Sequence, residues 1–105
     1  MGRGVIVIYR PKKGRDAALL KLVKNHIYIL RDENLVSERN PIIMKSAEGC
    51  IVEIFEWKST EAIAQAHSNH AVQNLWEKFS EVCDYEIPVN VKEFHTLFSE
   101  FEIIG

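Results

Sequence analysis

Apolar positions along this chain change their period several times, and each change predicts a new element. Gly4 to Arg10 (GVIVIYR) is dense in β-branched residues and is closed by Pro11-Lys12-Lys13-Gly14, which predicts a first strand. From Arg15 the period lengthens. Leu20, Val23, Ile27 and Leu30 recur at steps of three and four, with Leu19 widening the stripe. That is one face of an amphipathic helix running to about Glu33, and Asn34 supplies a stop. Leu35 to Ser46 carries Val36 and Ile42-Ile43-Met44 in a second extended segment, interrupted by Pro41. A proline removes a ladder donor, so this strand is expected at a sheet edge or bulged. Ala47-Glu48-Gly49 then predicts a hairpin loop, and Cys50 to Trp57 a third strand.

Ser59 or Thr60 can cap the next helix, and Glu61 favours its positive end. Apolar spacing is weak over Ala62-Ile63-Ala66. It becomes strong from Val72 through Leu75, Trp76, Phe79, Val82 and Cys83, the pattern of one buried helical face. Ser68-Asn69 are good capping residues, so the helix is expected to break and restart there. Asp84 to Val91 reads as a connection containing Pro88, Val91 to Leu97 as a short helical turn, and Phe98 to Ile104 as a last strand.

The order βαββαβ predicts an α+β chain of the split-βαβ, ferredoxin-like kind, with four antiparallel strands and both helices on one face. Residues 1–105 form a single domain on this reading. Strands as apolar as Val5-Ile6-Val7-Ile8 leave little polar alternation, so the second sheet face also needs cover. A second copy is the economical source, and a homodimer through the sheet face is expected.

Composition narrows the partners. Hydrophobic content of 47% and charged content of 27% suit a globular chain, and a net charge of −2 lacks the basic excess of a nucleic-acid binder. No run approaches the ~18 apolar residues that cross a bilayer, and the early apolar run of four residues is short for a signal peptide. Cys50 and Cys83 are too few and too far apart for a metal pattern, so free thiols in a reducing cytoplasm are expected. Lys12, Lys13 and Arg15 read as a solvated charge run.

Candidate chemistry concentrates between Cys50 and Cys83. Period two places Glu53 with Ile51 and Phe55 on one face of the third strand and Glu56 with Val52 and Ile54 on the other. A buried carboxylate needs a partner, which Arg39 or Arg10 on neighbouring strands could supply. Tyr9 and Trp57 lie at strand ends, where a polar handle can reach a ligand. Phe55, Trp76 and Phe79 have the spacing of core residues, and Cys83 reads as a small buried hydrophobe. His67 and His70 are three apart, but two ligands do not make a metal site. His70 opens the restarted helix, whereas His67 ends the first piece and is the better placed to face inward.

The run Glu53-Ile54-Phe55-Glu56-Trp57-Lys58-Ser59, followed by Glu61-Ala62 and His67-Ser68-Asn69, resembles the dimeric α/β-barrel superfamily, in its antibiotic-biosynthesis-monooxygenase-like branch. There a strand ending in an aromatic residue is followed by Ser and an acidic residue opening a helix, with a His further on. The resemblance implies a ferredoxin-like protomer whose sheet pairs with another to form a barrel. It also implies a cofactor-independent oxygenase acting on a small aromatic or quinone-like compound. Catalytic candidates are then His67 and Glu53, taking a proton. Trp57, Tyr9, Glu56 and Arg39 are candidates for holding substrate, and no metal or cofactor is needed. The haem-degrading branch places an essential Asn on its first strand, and GVIVIYR has none. A non-catalytic dimeric barrel that binds a small apolar ligand, or serves only as an assembly module, is the alternative.

Overall fold

A computed structural model describes residues 2–105. In chain order it contains β1 (Arg3–Pro11), α1 (Asp16–Asp32), β2 (Ile42–Lys45), β3 (Ile51–Trp57), α2 (Thr60–Ala66), α3 (His70–Val82), β4 (Cys83–Glu86) and β5 (Glu102–Ile103). Two short 3-10 turns, Pro88–Asn90 and Lys92–His95, lie between the last two strands. The chain is α+β. Its strands form one open antiparallel sheet in the order β4-β1-β3-β2-β5.

Element boundaries follow local chemistry. Asn34 takes φ 60, and the Asn34 and Leu35 amides return to the Arg31 and Leu30 carbonyls, which closes α1 with paired rather than orphaned acceptors. Gly49 at φ +93 makes the turn between β2 and β3, where the Ser46 hydroxyl accepts from the Cys50 amide at 2.9 Å. The helix after β3 is broken as expected. Ser59 caps α2 through the Ala62 amide, and Asn69 caps α3 through the Val72 amide, each at 3.1 Å.

The end of the chain differs from the sequence expectation. Cys83, expected on the helix face, and Asp84–Glu86, expected in a connection, form the strand that pairs with β1, and it follows α3 without a loop. The proposed last strand over Phe98–Ile104 shrinks to Glu102–Ile103, a fifth strand beside β2. CDYE hid its strand character because Asp84 and Glu86 occupy the solvent-side positions of an edge, where charge discourages further pairing. Glu86 is held there by Arg10 at 2.7 Å.

All three helices cover one sheet face. Leu19, Val23, Ile27 and Leu30 of α1 and Val72, Leu75, Phe79 and Val82 of α3 are buried with Tyr9, Ile43, Ile51 and Phe55. On the opposite face, Ile8, Val52 and Met44 are covered by the chain's own Val91, Phe94 and Phe101. That cover stops partway. Ile6 and Ile42 remain 53% and 45% exposed.

Candidate functional site

Tyr9 and Glu53 are brought together by strand register. Val7 pairs with Glu53 and Tyr9 with Ile51, so the Tyr9 side chain lies diagonally across from Glu53 on the helix-covered face. The Tyr9 hydroxyl donates to Glu53 Oε1 at 2.7 Å. His26, from α1, approaches the same oxygen with Nδ1 at 2.8 Å. Tyr9, His26 and Glu53 are 1%, 3% and 0% exposed, so two polar groups converge on one oxygen of a third inside the core. The hydrogen bonds that the members of this cluster exchange offset much of the cost of burying them.

Aromatic packing fixes the geometry. Phe79 stacks on Tyr9 at 4.9 Å between centroids. His26 meets Phe55 and Phe79 edge-on, each at 5.3 Å. Burial, reinforced by the Glu53 carboxylate, pushes the Tyr9 hydroxyl well above its usual value, so Tyr9 stays a donor. A neutral imidazole with its Nδ1 proton directed at Glu53 would carry its lone pair on Nε2. Nε2 is buried and has no hydrogen-bond partner among the described residues, and neither does Glu53 Oε2.

Above this cluster lies a cavity of about 490 Å³, lined by Val5, Val7, Phe55, Trp57, Trp76 and Tyr85 together with Ile6, Tyr9 and His26. Tyr85 tilts against Tyr9 at 5.6 Å, and burial pushes its hydroxyl up to about 12. None of the lining residues is Lys, Arg, Asp or Glu. An apolar, aromatic hollow with few convergent polar atoms at its base is the usual form of a small-molecule site.

Of the residues singled out in the sequence, Glu53, Tyr9 and Trp57 meet here, with Trp57 in the wall and Glu53 behind it. His67 stands elsewhere. It is exposed, its Nδ1 lies 2.9 Å from the Ile63 carbonyl, and its ring packs edge-on at 5.3 Å against Trp76, a residue that itself lines the cavity. It ended outside because α2 stops at His67, which caps that helix at the surface. Glu56 is on the opposite sheet face, paired with Arg39 at 3.0 Å, and the Arg39 side chain is 78% exposed. Hydrogen bonding from the Ser37 side chain, then the Arg39 guanidinium, holds the Glu56 carboxyl below its usual value.

His26 is the residue that sequence reasoning missed. Its signal was present, because it falls three positions after Val23 and seven after Leu19, inside the buried stripe of α1. A titratable residue on an apolar helix face calls for a buried partner, which the third strand supplies. Among the described residues no cluster of His, Cys, Asp and Glu is suited to hold a metal ion, and no helix is long and apolar enough to cross a membrane. Comparison with protein-family models, curated proteins and solved structures finds no match to this chain.

Proposed function

We propose that this chain is a cofactor-independent, monooxygenase-like enzyme acting on a small aromatic or quinone-like compound, with His26 as the proton acceptor and Glu53 as its positioning partner. The observation that carries the reading is the buried Tyr9–Glu53–His26 cluster at the base of an aromatic cavity. Glu53 holds the imidazole by Nδ1 and leaves Nε2 free to take a proton, the division of labour that makes a histidine a general base. A ring-activated CH2 group losing a proton to Nε2 becomes an electron-rich carbanion, which reduces O2 and forms a carbon–oxygen bond. The O–O bond then breaks, one oxygen remains as a carbonyl, and the other leaves as water with the two hydrogens of the CH2 group.

The strand order β4-β1-β3-β2 with every helix on one face supports a ferredoxin-like protomer of the dimeric α/β-barrel superfamily. The uncovered Ile6 and Ile42 on the outer face support a homodimer formed there, in a reducing cytoplasm that keeps Cys50 and Cys83 as thiols. A monomer mass in sedimentation equilibrium at micromolar concentration would rule that dimer out.

Anthrone, a tricyclic ketone with an acidic ring CH2, serves as the probe for turnover. The expected result is uptake of one O2 per anthrone consumed, reduced about 100-fold or more in His26→Gln. Full turnover in both His26→Gln and Glu53→Gln would overturn the assignment. Binding without turnover in the native chain would leave the alternative, a non-catalytic barrel that holds an apolar ligand.

A further inference from the structure

The cavity walls carry a second message, about charge. Every lining side chain is apolar, aromatic or the imidazole of His26, and no lysine or arginine reaches the space. The nearest fixed charge is the Glu53 carboxylate, sealed behind Tyr9 and His26 with no solvent exposure. With Glu53 ionised, the cluster is negative when His26 is neutral and uncharged when His26 holds a proton. Tyr9, kept protonated by burial, adds no charge in either state.

An anion entering this space would shed part of its hydration without meeting a counter-charge among the lining residues. Arg3, on the cavity's face of β1 opposite Trp57, is not among the lining residues, and Arg10 and Arg39 are both committed elsewhere, to Glu86 at 2.7 Å and Glu56 at 3.0 Å. Their pairs stand on the outer face, because residues 10 and 56 alternate with Tyr9 and Phe55. A neutral ligand with one weakly acidic proton meets none of this cost. Its ring has Trp57, Trp76 and Tyr85 to pack on, and its proton finds the imidazole of His26, whose buried Nε2 has no partner, among the lining residues.

We infer that the cavity discriminates by charge, admitting uncharged aromatic compounds that carry a weakly acidic O–H or C–H and rejecting aromatic carboxylates of the same size. This rests on the proposed reading of the cavity as a site for aromatic compounds, and it narrows the class of compound that the site accepts.

The test uses two probes of matched shape, 2-naphthol and 2-naphthoate, titrated calorimetrically into the full chain at neutral pH. Naphthol is expected to bind at least tenfold more tightly than naphthoate. Glu53→Gln, which removes the charge but keeps the shape, is expected to narrow that ratio several-fold by improving naphthoate binding. Equal or tighter binding of naphthoate by the native chain overturns charge discrimination while leaving the aromatic site intact. Failure of both probes to bind overturns the site itself. An unchanged ratio in a folded Glu53→Gln overturns the assignment of the discrimination to Glu53.

Discussion

Glu53 and Glu56 stand three residues apart on β3 and point to opposite faces of one sheet, yet their surroundings share almost nothing. Glu53 is fully enclosed, and its Oε1 accepts from the Tyr9 hydroxyl with the His26 imidazole against the same oxygen. Glu56 is partly solvated and meets a flexible arginine that water also reaches. The comparison separates two meanings of a carboxylate in a strand. Where water can replace a partner, the pairing contributes little and is easily dispensed with. Where water is excluded, each polar group depends on the others, and loss of one strands the rest.

The largest expected effect follows directly. Glu53→Ala leaves the buried Tyr9 hydroxyl and His26 Nδ1 with only the long 3.5 Å contact between them and opens a void, so it should destabilise the fold by about 3 kcal/mol or more in urea unfolding. A loss below about 1 kcal/mol would erase the distinction between the two faces.

Tyr9→Phe comes next, at about 1–2 kcal/mol, because it removes one hydrogen bond and keeps the stacking on Phe79. It also carries a pH signature. Tyr9 and Tyr85 titrate above their unfolded value of about 10, so the stability they contribute is complete below that pH. It is lost as pH rises through their folded values, since the unfolded chain ionises first. Melting temperature should therefore fall steeply on the alkaline side of pH 10 in the native chain and less steeply in Tyr9→Phe. Parallel alkaline slopes would show that Tyr9 has no part in the effect.

Arg39→Ala should be the mildest, below about 1 kcal/mol, and its effect should shrink further in high salt. A larger, salt-independent loss in a denaturant titration would mean that the outer face is buried, as a dimer interface would bury it.

Much of this arrangement was legible in the sequence. Period two put Glu53 and Glu56 on opposite faces, and the capping candidates Ser59 or Thr60 and Ser68-Asn69 marked the helix break to within a residue, with Ser59 and Asn69 the caps found. Tyr9 and Trp57 were recognised as strand residues with ligand-facing potential, and both line the cavity. What escaped was the pairing of elements distant in sequence. His26 reads as a blemish on an apolar stripe until α1 is laid over β3, and that docking depends on tertiary packing that local periodicity does not encode. His67 attracted notice through its motif, but its position at the end of α2 sends it to the surface. The edge strand β4 was hidden for a similar reason, since a charged four-residue edge looks like a loop until its partner is known.

The direct join between α3 and β4 bears on how the cavity wall is held. Val82 ends the helix and Cys83 begins the strand, with the Lys12 amide tying the Val82 carbonyl to the end of β1. Trp76 and Tyr85, which both line the hollow, therefore ride on one unbroken stretch of chain with no slack between them. The hollow is already open on the side where Ile6 and Tyr85 stand 53% and 54% exposed, so a guest can enter with this span at rest, and what it meets is an aromatic wall whose backbone spacing is set in advance.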